Sequence, residues 1–408
     1  MGNIQQYNVI HVKHGNAGKF FGKVRLSLLF VLMLLSLSAC TSGANLLGSG
    51  SWQASTLTTQ HIQALAVDPV TPQKLYAGNE DGTLFTSSDG GQHWITRTRI
   101  SPTRIKLLML TLPPSGKTLY ALTANGLFAS TDAAQTWQVI NTSRSGLPVD
   151  SYTTMTFNAQ KSIYIGTLHH GVFASDTSDG VHWHFISGTL PSTIAINELA
   201  FDSTQHRLWA ATSLGVYLSE NEGVTWNALN SGLPVTGGVL SLQPAASSGG
   251  ATNLVYAGTQ QGIFRSMDAG GHWTESGPVL QGVPIEHILI DYRSTNASTL
   301  YVGTRFGVFR SDDSGQNWFG AAASFPRSTS VYALVIGADN ASQLYAAANN
   351  VYIFPGYGSS ITPTRVITLL LTLLLFVLLA LIAQRSMRRR KRLFRPRSSP
   401  EASSSTKN

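Results

Sequence analysis

The chain is poor in cysteine and in charge. Cys40 is its only cysteine, so no intramolecular disulfide can form and the redox compartment is left open. Charged residues make up 12% of the 408 positions, against 38 glycines. Little charge with much Gly, Ser and Thr suits an all-β surface of short turns. The formal charge of +8 is confined to the ends. Residues 1–40 carry four bases and no acid, and residues 384–408 carry nine bases and one acid. The stretch between them holds 15 bases and 19 acids. A net acidic middle excludes nucleic acid as the main partner.

Both ends read as membrane signals. Lys13, Lys19, Lys23 and Arg25 precede an apolar run from Leu26 to Ala39, the layout of a secretory signal. The run closes on "LSAC", which resembles a bacterial lipobox and implies lipidation of Cys40. "VITLLLTLLLFVLLALIA" (Val366 to Ala383) is 18 residues without a charge. It reaches roughly 27 Å as a helix, enough for a bilayer core. The basic cluster after it sets the cytoplasmic side. The expected organisation is a signal peptide with lipobox (1–40), a linker (41–49), a folded exterior domain (50–356) and a second linker (357–365). A transmembrane helix (366–383) and a basic cytoplasmic tail (384–408) complete it.

The exterior domain is one repeat. "LYAGN" (75–79), "LYALT" (119–123), "IYIGT" (163–167), "LWAAT" (208–212), "VYAGT" (255–259), "LYVGT" (300–304) and "LYAAA" (344–348) are seven copies of a strand, with the aromatic recurring every 44 to 47 residues. A second strand follows each, as in "GTLFTS" and "FGVFRS". An apolar run precedes each, as in "IQALAVDP" (62–69).

A turn frame, Ser-x-Asp-x-Gly-x-x-Trp, belongs to the same unit. It comprises Ser87, Asp89, Gly91, Trp94; Ser130, Asp132, Trp137; Ser219, Asn221, Gly223, Trp226; Ser266, Asp268, Gly270, Trp273; and Ser311, Asp313, Gly315, Trp318. A degenerate sixth copy ends at Trp183. Asn221 replaces the Asp in one copy and Ala134 the Gly in another. The frame resembles the Asp-box, or bacterial neuraminidase repeat. Its chemistry is that of a turn. A short Asp accepts hydrogen bonds from its own loop, Gly permits positive φ, and Trp fills the gap between sheets. Calcium would need more carboxylates than one per box.

Four strands per repeat around a ring make a β-propeller. The expected fold is an all-β, seven-bladed propeller with Asp-box turns, plus the C-terminal helix. The seventh repeat supplies three strands. Trp52 stands where a box tryptophan would, so residues 50–57 are expected to provide the fourth and close the ring.

The Asp-box resemblance covers sialidases, xyloglucanase-type glycosidases, sortilin-like receptors and the photosystem II assembly-factor family, and the last is the most similar in scale. It implies a non-catalytic, exported propeller that binds a protein subunit during assembly of a membrane complex. A sialidase is expected to carry an Arg-Ile-Pro-like stretch. Here "RIKLL" (104–108) lacks the Pro and "FPRS" (325–328) has the wrong order. A glycosidase needs two carboxylates beside a cleft. The glutamates number seven, and the weak catalytic candidate is Asp81, whose bland reading is an Asp-Gly turn.

Candidate binding residues fall on the loops opposite the boxes: Glu80, Asp81, Arg97, Arg99, Arg104, Arg144, Asp150, His169, His170, Gln260, Gln261, Arg305 and Arg327. Between residues 41 and 383 Arg outnumbers Lys by 11 to 4, and Arg is favoured at interfaces that pair with carboxylates. His169, His170, His182 and His184 fall in one repeat. Histidine also precedes the tryptophan in other boxes, so the tolerated-residue reading stands against metal. No cofactor and no metal are expected. The expected partner is an extracytoplasmic or membrane protein, with a glycan as the alternative. Membrane attachment is expected through lipidated Cys40 and helix 366–383, which places the propeller outside a bacterial cell membrane. Acceptor sequences at Asn141, Asn296 and Asn340 match glycosylation sites but carry no meaning in a bacterial lipoprotein.

Overall fold

The computed structural model describes residues 51–355, apart from 58–60, 141–143, 159–161, 176–179, 181, 235, 246–252, 293–297, 322–323, 327 and 338–342. Cys40, the run 366–383, the basic tail, Arg327, Asn141, Asn296 and Asn340 lie outside the described residues. Among the described residues no helix is long and apolar enough to cross a membrane.

The repeat folds as seven four-stranded antiparallel sheets around an axis. Blade 1 runs Ile62–Val67, Leu75–Asn79, Thr83–Ser87, Ile95–Arg99 from the axis outward. Blades 2 to 7 begin at the axis with Leu107–Thr111, Tyr152–Phe157, Ile196–Asp202, Val239–Pro244, His287–Asp291 and Ala333–Ile336. The last sheet is completed by Gln53–Ala54, which pairs with Val351–Phe354 in the register Gln53 to Ile353 and Ala54 to Tyr352. Trp52 behaves as the missing box tryptophan. Its indole Nε1–H donates to the Ala321 carbonyl at 2.5 Å, and its ring packs on Phe325 and Phe354. The first segment therefore closes the last blade, as its sequence position predicts, and the ring has no open edge there.

Packing between blades explains the recurring aromatic. Each second strand is buried on both faces, because blades stack face to face. Tyr76, Tyr120, Tyr164, Trp209, Tyr256, Tyr301 and Tyr345 each enter a different interblade core. The box tryptophan enters the core shared with the preceding blade, as Trp273 does beside Trp209. Where the strand carries Gly, the next blade comes too close for a side chain. A Cβ on Gly166 would lie 2.5 Å from Ile196.

The boxes form one face, and the same bonds recur in five of them. The Ser hydroxyl donates to the Asp or Asn Oδ1 at 2.7–2.9 Å. It also accepts from the amide four residues on, at 2.7–2.9 Å. The Asp or Asn Oδ1 accepts a second amide at 2.8–2.9 Å. The glycine is left-handed in Gly91, Gly223, Gly270 and Gly315, with φ from 82° to 94°. Ala134 takes the same region at φ 65°, a strained position for a residue with a Cβ. Backbone and side-chain bonds from His93 hold the Asp89 carboxyl down at about 2, and those from Thr136 do the same for Asp132. The boxes are fasteners, as their chemistry predicts.

Candidate functional site

The face opposite the boxes is built from hairpins with a common stem and individual tips. Thr123, Thr167, Thr212, Thr259 and Thr304 end their strands fully buried. Each hydroxyl donates across the hairpin to a glycine carbonyl, at 2.6–2.9 Å. Blade 1 uses Asn79 instead, whose Oδ1 accepts from the Asp81 and Thr83 amides. On these six stems the tips differ: Glu80–Asp81, Ala124–Asn125, Leu168–His169–His170, Ser213–Leu214, Gln260–Gln261 and Arg305–Phe306; blade 7 has Ala348 in place of the Thr and carries Asn349–Asn350. The fastening Thr closes the stem without using the tip side chains. It was present in the sequence as the residue closing "YIGT" and "YAGT".

The structure joins some candidate residues and separates others. Asp81 pairs with Arg104 at 3.3 Å, so the weak catalytic candidate is an ion-paired turn residue. Arg305 lies over the Phe306 ring at 4.7 Å, a cation–π contact, and both are exposed. Arg144, Glu80 and Gln260 are exposed, and Gln261 donates to Thr236 at 3.2 Å. Asp150 is the centre of a cluster. Its side chain is 2% exposed, and His169 Nδ1 and His170 Nδ1 approach its two oxygens at 2.8 Å each. It also accepts the Ser151 and His169 amides. Burial raises this carboxyl, but the hydrogen bonds from His170, His169 and Ser151 outweigh it and hold it at about 2. Arg97 and Arg99 are corrections. They belong to the outer strand Ile95–Arg99 on the rim of blade 1, not to loops, and their Nε atoms reach Thr86 and Thr83. The alternation of "ITRTR" as a strand after the box tryptophan is the signal that gives their place.

An axial channel of about 470 Å³ is lined by all seven innermost strands. Its mouth on the hairpin face carries one residue per blade: Gln63, Leu108, Thr153, Asn197, Leu240, Glu286 and Tyr332. In five blades a β-bulge at this residue aims it inward. Glu198 and His287 sit one residue deeper. Glu198 accepts the Leu242 amide of the next blade at 2.8 Å. Its remaining exposure is to the channel rather than to the outer surface, and burial pushes its carboxyl up to about 8. Burial pushes His287 down to about 4, against a bond to the Tyr332 backbone. Glu286 is raised by partial burial even at the exposed mouth. Among the lining residues there is no Lys or Arg. The sequence held a signal for this set: acids and a His interrupting the apolar starts "INELAF" and "IEHILI" at the repeat spacing.

Fold and boxes together define the class: this is a seven-bladed β-propeller of the Asp-box type. A family model described as the DUF6242 beta propeller domain matches residues 30–168. A probable oligoxyloglucan-reducing end-specific xyloglucanase from Neosartorya fischeri is 24% identical over 185 residues, which is 42% of this chain and 22% of that protein. The chain thus spans about a fifth of the length of that curated relative. Among solved structures, YCF48 bound to D1 peptide superposes with a TM-score of 0.58 at 15% identity, over 76% of this chain and 98% of that one. YCF48 from Cyanidioschyzon merolae gives 0.55 at 14% identity, over 74% and 98%. The GH74 xyloglucanase from Xanthomonas campestris gives 0.57 at 16% identity, over 78% and 55%. At these identities the likeness is one of fold.

Proposed function

We propose that this chain is a membrane-anchored, extracytoplasmic propeller that binds a protein partner through its hairpin face and acts as a non-catalytic, assembly-type scaffold. One observation carries the reading: common buried stems present different exposed tips, among them Arg305–Phe306, Gln260–Gln261 and His169–His170. Arg and aromatic side chains on a rigid face are the residues that anchor protein interfaces. The likeness to YCF48, which covers nearly all of that protein and includes a peptide-bound form, supports it. Attachment through Cys40 and the run 366–383 belongs to the same proposal, with the propeller outside a bacterial membrane.

Photo-crosslinking in cells tests it, with probes at Arg144, Gln260 and Arg305 and a control at the exposed box residue Ser88. A discrete protein band at the hairpin tips Gln260 and Arg305 and at the exposed Arg144 of the blade-to-blade link, absent at the control, is the expected result. Equal labelling at all four, or none, overturns the reading.

The alternative is a carbohydrate-active propeller, either glycan-binding or glycosidase. The channel favours it, since Glu198 and Glu286 bring two carboxyls to one cavity and burial shifts both upward, the direction a general acid needs. Glycan turnover lost in Glu198→Gln or Glu286→Gln, with no protein crosslink, would replace the first reading by this one.

A further inference from the structure

The axial channel holds a carboxyl that the fold does not fully use. Thr154, Glu198 and Ser241 occupy equivalent places on three successive inner strands, each just past the bulge and opposite the residue before a stem Thr. Each ties its blade to the next through a side-chain oxygen. The Thr154 hydroxyl accepts the Leu199 amide at 3.1 Å, Glu198 Oε2 accepts the Leu242 amide at 2.8 Å, and the Ser241 hydroxyl donates to the Ile285 carbonyl at 2.9 Å. A neutral hydroxyl is therefore enough for this duty. Glu198 brings a second oxygen and an ionisable group beyond it. Its Oε1 has no hydrogen-bond partner among the described residues, and the side chain is open only to the channel.

The surroundings of that oxygen define what would satisfy it. A carboxylate enclosed without a counter-charge is costly, and the lining supplies none. It has no Lys or Arg, and Glu286 sets a second carboxyl at the exposed mouth. A cleft lined by charge of one sign focuses its field and concentrates the opposite sign. The walls also carry Leu108, Leu240 and Leu289, apolar surface along which an alkyl stem can lie while its charged head reaches a polar group. We propose that the axial channel binds a primary alkylammonium group, with Glu198 as its ion-pairing partner and Glu286 drawing it into the mouth.

The same chemistry comes from a free amine or from a lysine side chain on a bound protein. The site does not depend on the partner reading, because a free amine is the probe. Absence of amine binding would leave the crosslinks at Gln260 and Arg305 untouched, so the two failures are read separately.

The test is calorimetric titration of the full-length protein, in non-ionic detergent, with n-butylammonium, which has the stem and head of a lysine. n-Butanol and n-butyrate keep the chain and remove or reverse the charge, and both should bind about tenfold more weakly or less. Glu198→Gln retains an acceptor for the Leu242 amide and should weaken amine binding by about tenfold or more. Glu286→Gln should weaken it less, and Glu275→Gln, on the exposed outer strand of blade 5, should leave it unchanged. The pH profile separates ion pairing from a structural part. The ionisable groups of the lining are Glu198, Glu286, His287 and Tyr332. Glu198 loses its proton near 8, so affinity should rise about tenfold between pH 7 and pH 9, and the rise should vanish in Glu198→Gln. The wild-type ligand series and pH profile keep the test decisive if that variant does not fold. A crosslinking probe at Leu240, at the mouth, separates the sources. A protein band competed by n-butylammonium assigns the ammonium to a partner's lysine, and amine binding without such a band assigns it to a free amine. No amine binding at tens of millimolar overturns the proposal. So does n-butanol binding as tightly as the amine, or amine binding that Glu198→Gln leaves unchanged.

Discussion

The two faces of the propeller meet the same demand, reversing an antiparallel strand, in opposite ways. On the box face, Ser, Asp and Gly recur with bond lengths that agree within 0.2 Å among the five Ser-to-Asp or Ser-to-Asn pairs. On the hairpin face only the stem recurs, through a buried Thr in five blades, and the tips share neither charge nor size. Repetition marks what the ring needs to stand. Departure from repetition, on a stem that already satisfies the backbone, marks the residues free to be used for recognition. Blade 2 shows the converse. Its box has Ala134 at positive φ, and the Trp137 indole N–H has no hydrogen-bond partner among the described residues. A fastener can lose a member and still close.

The largest break in this comparison comes from removing a box tryptophan. Trp273 is buried, donates to the Leu229 carbonyl at 2.8 Å and packs in the core with Trp209. Trp273→Ala should cost about 3–5 kcal/mol in denaturant unfolding. Phe306→Ala, an aromatic lost from the opposite face, is exposed and should cost less than about 0.5 kcal/mol. Equal losses would mean that the hairpin face is also structural.

The next effect belongs to the channel and depends on pH. Glu198 is raised from 4.5 to about 8, so the folded protein holds this proton more tightly than the unfolded chain does. The stability it contributes is fully present below the unfolded value and is lost as pH rises towards 8. Glu198→Gln keeps an acceptor for the Leu242 amide and carries no charge. It should be more stable than the wild type by about 2–4 kcal/mol at pH 9, with the difference vanishing near pH 4. Thermal melts at both pH values measure this, and parallel curves would refute it.

The architecture was readable because a propeller is a local rule repeated. The 44-to-47-residue aromatic period, the box frame and Trp52 together specify blades, cores and closure. The channel was less readable. Whether a residue at the start of an inner strand faces the axis or the neighbouring blade depends on a bulge, and "NEL" does not announce one. Arg97 and Arg99 were misplaced among the loops, although the alternation of "ITRTR" carries them on a five-residue outer strand. The Asp150 cluster was out of reach for another reason. It joins a blade-to-blade link to a hairpin 19 and 20 residues away, and no spacing rule relates the two.

Smaller effects separate stem from tip within a single turn. Ser266 is fully buried and holds Asp268 and the Gly270 amide. Thr259 is fully buried and bridges to the Gly262 carbonyl. Ser266→Ala and Thr259→Ala each leave buried polar groups without their partner and should cost about 1–3 kcal/mol. Gln260→Ala lies next to Thr259 but is exposed, and should change unfolding by less than about 0.5 kcal/mol. The same position carries one of the crosslinking probes, so stability and contact are read at one residue. A stable Gln260→Ala variant that loses its partner would show that the tip serves recognition alone. A destabilised one would return this tip to the fold and leave the box face and the hairpin face alike.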